Sequence, residues 1–205
     1  MDAESIKRIY GTYSSFYDLI FKKLFYGRER HVISMIPLKP GDQVLDVGVG
    51  TGISLGLYPR WCRVTGIDLS PEMLREARKK VDEQGLRNVT LREMDATRME
   101  FPTDSFDHAV AAHVVSVVPD PVNMVLEMKR VVKRGGLLVL INHFRSENPV
   151  LGRIEQALSP LCTKIGWRSD LDLGALIRGA HLEKARIYKR HRCSLWKVIL
   201  SVNEK

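Results

Sequence analysis

The residues with the clearest chemical content lie in Asp46-Val47-Gly48-Val49-Gly50-Thr51-Gly52, an acid followed by three alternating glycines. The apolar run before them, Gln43 to Val47, reads as a buried strand, so the glycines form a tight turn where a ligand meets backbone. A second acid, Asp68, closes the next apolar run, Arg63 to Ile67. A glycine turn followed about 20 residues later by a carboxylate is the pattern of a site that holds ribose hydroxyls. Two ligands compete for it. A dinucleotide fingerprint spaces its glycines G-x-G-x-x-G, but here the third glycine falls one position early and residue 53 is isoleucine. Asp46, two places before the first glycine, suits a ligand ammonium group better than a pyrophosphate.

Two imidazoles extend the set. His113 follows the run Phe106 to Ala112, and His143 follows Leu137 to Asn142. In open α/β sheets the chemistry lies outside the carboxyl ends of the strands, so both are placed to reach a reacting group. A lone histidine is usually a core residue; the paired placement is what favours a site.

These residues need a scaffold, and the chain alternates strand-like and helix-like segments from residue 43 to about 143, the mark of an α/β domain with a parallel sheet. Five short runs read as doubly buried strands: Gln43 to Val47, Arg63 to Ile67, Asn88 to Arg92, Phe106 to Ala112 and Leu137 to Asn142. One helix starts at Ser70-Pro71-Glu72, with a capping hydroxyl, a first-turn proline and an acid, and runs through Lys80 or beyond. A second is expected from Asp120-Pro121 to Gly135-Gly136. Leu182 to Tyr188 and Leu195 to Val202 read as two further strands joined by the basic turn Lys189-Arg190-His191-Arg192, an antiparallel hairpin at the sheet edge. From Ile6 to Phe25, apolar and aromatic residues recur every three or four positions, the stripe of an amphipathic helix. The expected organisation is that N-terminal element over residues 1–30 and one catalytic domain over 31–205.

The D-x-G-x-G-x-G turn with its following strand ending in aspartate resembles the class I S-adenosylmethionine-dependent methyltransferases. The resemblance implies a Rossmann-like α/β fold with strand order 3-2-1-4-5-7-6, strand seven antiparallel, in agreement with the hairpin. It further implies that Gly48, Gly50 and Gly52 underlie the cofactor, with Thr51 beside them, that Asp46 positions its amino acid end, and that Asp68 and Leu69 meet the ribose. Met73 would cover the adenine, Asp95 and Ala96 would contact it, and Tyr17 and His113 would close the sulfonium end. Four stretches narrow the resemblance: Tyr10 to Tyr17-Asp18, His113 to Pro121, Asn142-His143-Phe144 and Gly166-Trp167-Arg168-Ser169-Asp170. Together they are similar to the short bacterial phosphatidylethanolamine N-methyltransferases, which methylate the lipid amine three times to phosphatidylcholine. Lys133-Arg134-Gly135-Gly136 departs from the usual proline before the paired glycines, a change confined to a turn.

Methylating an amine sets its own requirements. Only the neutral amine carries a lone pair, so a proton acceptor is needed, and His113, His143, Tyr26 and Tyr188 are the candidates. A growing quaternary cation is accommodated by aromatic faces, and the lipid phosphate needs a cation, for which Arg186 on the sixth strand is the choice. Tyr13 is a candidate substrate contact on the N-terminal helix, which is expected to lie on the membrane or to act as a lid.

Composition sets bounds on all of this. The chain has 205 residues, enough for one ordinary domain, and its 44% hydrophobic and 27% charged content is that of a globular protein. Net charge is +8, distributed as +2 over residues 1–30, −3 over 31–124 and +9 over 125–205. The basic ends suit an anionic membrane surface. Nucleic acid is the other partner such charge invites; after strand four, however, the chain reads His113-Val114-Val115-Ser116 in place of the N/D-P-P-Y/F that stacks a target base, so no nucleic-acid partner is expected. A quinone or other small-molecule C/O-methyltransferase is the second enzyme reading. Cys62, Cys162 and Cys193 form neither a disulfide framework nor a zinc cage, and no metal site is expected. No run is long and uncharged enough to span a bilayer and no signal peptide is evident. The expected location is the cytoplasm, peripheral to the inner face of the membrane.

Overall fold

The computed structural model describes residues 26–146, 153, 157, 171–189 and 196–205. Helix α1 covers 26–33 and runs through the expected boundary at residue 30, with Val32 and Ile33 packed into the domain. There follow β1 (Gln43–Val47), a short 3-10 helix (Leu55–Leu57), β2 (Arg63–Asp68), α2 (Pro71–Glu83) and β3 (Val89–Glu93). The second half holds β4 (Phe106–Ala112), α3 (Pro121–Val131), β5 (Val132–His143), α4 (Leu173–Gly179), β6 (Arg186–Lys189) and β7 (Trp196–Val202).

The strands form one seven-stranded sheet in the order β3-β2-β1-β4-β5-β7-β6. The first five run parallel, and β7 pairs antiparallel with both β5 and β6. This is the expected topology. Alternation along the strands divides the core between the two faces: Leu45, Val47, Leu138 and Leu140 face Met124 and Met128 of α3, while Val44, Val139 and Ile141 face Val32 and Ile33 of α1 and Leu74 of α2. Met124, Val125, Met128 and Val131 are all fully buried on α3, a spacing that turns one helical face to the sheet, and each such side chain contributes about 1.5–3 kcal/mol on burial.

Helix starts follow their capping residues. Ser70 Oγ accepts from the Met73 amide at 3.3 Å, and Asp120 and Asp172 accept from the amides of Asn123 and Ala175 at 2.9 Å. The end of α3 differs from expectation. It stops at Val131, and Val132 is already extended; Gly135 and Gly136 lie inside β5 and do not terminate the helix. The cause is remote in sequence: the buried Asn203 amide donates to the carbonyls of Lys129 at 2.8 Å and Val132 at 2.7 Å, satisfying the helix end in the way a cap does. The hairpin strands are shorter than expected at β6, which begins at Arg186. The N-terminal stripe with Tyr13 and Tyr17, residues 166–170 and the turn residues 190–192 lie outside the described residues.

Candidate active site

At the carboxyl end of β1 the chain turns at Gly48, which has φ of +68° and lies so close to β4 that a Cβ there would meet Val114 Cγ2 at 2.5 Å. Only glycine fits both demands. The next link is a carboxylate. Asp68 Oδ2 accepts the Gly50 amide at 2.8 Å and Oδ1 accepts the Ser70 amide at 2.9 Å, so the end of β2 fastens the glycine turn to the start of α2. Burial raises the Asp68 pKa, and its bonds from the Ser70 and Gly50 amides oppose the rise.

Asp46 is 2% exposed, and its Oδ2 accepts from Ser54 Oγ at 2.8 Å and Tyr58 Oη at 3.1 Å. Burial pushes its pKa up to about 6; the two hydroxyls work against the rise and the neighbouring Asp68 charge adds to it. Glu29, on α1, is 8% exposed and pushed up to about 7 by burial and by Asp46. A buried acid this close to neutrality loses and regains its proton at physiological pH.

A cavity of about 1190 Å³, its open mouth included, lies over these groups. Its lining includes Asp46, Gly48, Gly50, Thr51, Asp68, Leu69, Met73, Asp95, Ala96 and His113, together with Glu29 and an apolar wall of Val114, Val117 and Val118. Ten of the residues expected at the cofactor are thus brought together. Gly52 is not among them: its φ is +77° and a Cβ there would meet Leu55 at 2.8 Å and Ala77 at 3.0 Å, so it packs the turn against α2 and does not face the cavity. Four lining side chains are carboxyls, and none of the described lining residues is Lys or Arg. Such a cavity fits a nucleoside joined to a group that carries fixed positive charge, as S-adenosylmethionine does.

His113 sits at φ of +62°, a conformation rare for a side-chain-bearing residue, held by its amide donating to the Ile141 carbonyl at 2.7 Å. Burial and the Arg28 charge lower its pKa to about 4, so the ring is neutral at neutral pH. Its Nε2 lies 3.7 Å from Glu29 Oε1, and its ring meets Trp196 edge-on at 4.8 Å. His143, 4% exposed at the end of β5, meets the same indole at 5.8 Å, and the Arg28 guanidinium lies 5.5 Å from that ring centre.

The other candidate acceptors are placed differently. His143 stands behind Trp196 and does not line the cavity; Tyr26 on α1 and Tyr188 on β6 are exposed and do not line it either. Arg186 is exposed on the edge strand, in register with Leu200. The sequence reading missed Glu29, Ser54, Tyr58, Trp196 and Arg28. Glu29 lies in Arg28-Glu29-Arg30 and reads as part of a solvated face; its one legible sign is that it continues the apolar stripe into the domain.

Residues 45–140 match the family described as "Methyltransferase domain". The phosphatidylethanolamine N-methyltransferase of Cereibacter sphaeroides is 41% identical over 184 residues, which are 89% of this chain and 90% of that protein. The chain belongs to the class I S-adenosylmethionine-dependent methyltransferases. Among more distant members, the demethylmenaquinone methyltransferase of Listeria monocytogenes serotype 4a is 32% identical over 148 residues, 68% of this chain and 62% of that one. The fold is shared with the phosphoethanolamine N-methyltransferase 2 of Haemonchus contortus, solved in complex with S-adenosyl-L-methionine; the TM-score is 0.78 at 16% identity, over 95% of this methyltransferase and 57% of that chain. The acidic cavity of this methyltransferase is built at the carboxyl ends of β1, β2, β3 and β4.

Proposed function

We propose that this methyltransferase transfers methyl groups to the amine of phosphatidylethanolamine, in up to three steps to phosphatidylcholine, at the cytoplasmic surface of a membrane. The observation that carries the substrate is the likeness to the C. sphaeroides phosphatidylethanolamine enzyme along nearly the whole of both chains. Bound S-adenosylmethionine supplies a methyl group on a sulfonium, open to attack by a neutral nucleophile.

The chain's own residues divide the work along the carboxyl edge of the sheet. Asp46 meets the cofactor's ammonium, and Asp68 uses the lone pairs left beside its two backbone bonds for the ribose hydroxyls. Leu69, Met73, Asp95 and Ala96 surround the base, while Val114, Val117 and Val118 keep water from the reacting end. His113, a neutral imidazole at the end of β4, orients the acceptor. Trp196, beside His113 and outside the cavity lining, is the aromatic face proposed for the growing ammonium, a reading supported by the Arg28 guanidinium 5.5 Å from its ring centre. Arg28, whose charge reaches His113, is a second candidate beside Arg186 on β6 for the lipid phosphate.

Membrane contact is assigned to the N-terminal helix and the basic ends of the chain. No helix among the described residues is long and apolar enough to cross a membrane. Labelled cofactor incubated with phosphatidylethanolamine liposomes should yield labelled mono-, di- and trimethylated lipid, and no labelled lipid at any anionic lipid content would overturn the proposal. Demethylmenaquinone in a parallel incubation tests the second reading, which the Listeria relative favours.

A further inference from the structure

Glu29 holds a buried carboxylate at the rim between the cofactor half and the acceptor half of the cavity. Its Oε1 lies 3.7 Å from His113 Nε2, and its Oε2 is buried with no hydrogen-bond partner among the described residues. Leaving a carboxylate oxygen dry and unsatisfied is costly, so the fold bears this cost for some purpose or fills the gap with a ligand. The side chain lines the cavity, which decides for the ligand. The groups facing it are Asp46 on β1, Tyr58 after the 3-10 helix and His113 after β4, with Arg28 on its own helix acting through His113. None of them carries an ammonium or guanidinium on Oε2.

We propose that Glu29 is the base of the reaction, receiving the acceptor amine's proton on Oε2, and that this carboxylate selects nitrogen acceptors over ring carbon or oxygen. The inference rests on the lipid-amine reading above. The alkylammonium headgroup enters as the ion-pair partner of the Glu29 carboxylate. One N–H proton passes to Oε2, leaving a neutral amine and a carboxylic acid. The nitrogen lone pair then forms the bond to the methyl carbon as the carbon–sulfur bond breaks with its electron pair on sulfur. The product is a more substituted ammonium and a neutral thioether, and Glu29 returns its proton to solvent before the next round. A quaternary product has no proton to give, so at the last step the carboxylate is left facing a fixed cation that water can draw out.

A carboxyl poised near neutral pH is suited to this task, because efficient general bases lie near the working pH. The test compares wild type with E29Q, which is nearly isosteric and removes a buried charge, and with E29D, which keeps the charge. On phosphatidylethanolamine vesicles E29Q should lose at least about 100-fold in kcat, and the acidic limb of its pH profile near neutrality should vanish. E29D should keep the limb at reduced rate. Calorimetric affinity for S-adenosylmethionine should stay within about threefold of wild type. As a readout apart from turnover, the ligand-free wild type should show a carboxyl infrared band titrating near pH 7 that E29Q lacks. Phosphoethanolamine added with cofactor product should push that titration down.

Wild-type kcat and an intact limb in E29Q would overturn the proposal, as would loss of cofactor affinity equal to the loss in kcat/KM, which would make Glu29 a ligand of the cofactor ammonium. A carboxyl band that does not respond to phosphoethanolamine would overturn it as well. If the wild type labels no lipid at all, the substrate reading falls and the proposal with it; if it labels lipid and E29Q does so equally, the proposal alone falls.

Discussion

Two carboxylates at the cofactor carry opposite burdens. Asp68 holds the Gly50 and Ser70 amides with both oxygens, so D68A loosens the glycine turn and, on the proposed reading, takes away the ribose carboxylate as well. Hydrogen bonds to charged groups contribute about 1.5–3 kcal/mol each, and cofactor affinity should fall by at least about tenfold in calorimetry. Asp46 is instead held near pH 6 by burial, against two donated hydroxyls. The sign follows from that. A cationic ligand binds the ionised form, so binding displaces a proton, and affinity should be level above pH 7 and weaken by about tenfold between pH 7 and 5. Isothermal titration across this range checks it, and a flat profile would remove Asp46 from the ammonium. Both acids were legible because each closes an apolar run at a recognisable turn. Glu29 was not, since burial of a charged side chain between two arginines depends on a neighbour 84 positions away in sequence, His113.

Among the elements, the strands and the starts of the helices were the most legible. Val- and Leu-rich runs have few other uses, and Ser70, Asp120 and Asp172 cap their helices through contacts three residues long. The end of α3 was misread at Gly135-Gly136 because the decisive contact comes from Asn203, more than 70 positions later. An N203A variant leaves two buried carbonyls without their amide donor. It should destabilise the domain by about 2 kcal/mol, lowering the melting temperature by about 4–8 °C in a thermal scan, with cofactor affinity retained in the folded fraction. Gly52 was legible as part of the turn, while its close packing against Leu55 and Ala77 was not, since spacing alone does not show which neighbour a glycine approaches.

Across the whole molecule the carboxyl edge of the sheet carries a gradient. Asp95, Asp68 and Asp46 lie at the carboxyl ends of β3, β2 and β1; His113 and His143 lie at those of β4 and β5; Trp196 and Lys189 stand at the same end of β7 and β6. A sulfonium belongs at the acidic side and a phosphate at the basic side. Net charge of +9 over residues 125–205 extends that side outward, so association with vesicles should rise with anionic lipid content and be lost by about 0.5 M salt, where screening shortens to a few ångströms. Sedimentation with liposomes measures both. The strand order has a further effect, on when the enzyme comes into being. Strand β7 ends at Val202, three residues before the end of the 205-residue chain, yet it lies inside the sheet between β5 and β6. While the chain is being made, β1 to β5 can pair as they emerge, but the place beside β5 stays open until β7, the last strand of the sheet in chain order, has followed. Trp196, and with it the ring that meets His113 edge-on, arrives only then, so the carboxyl edge of the parallel strands is laid down before its aromatic neighbour.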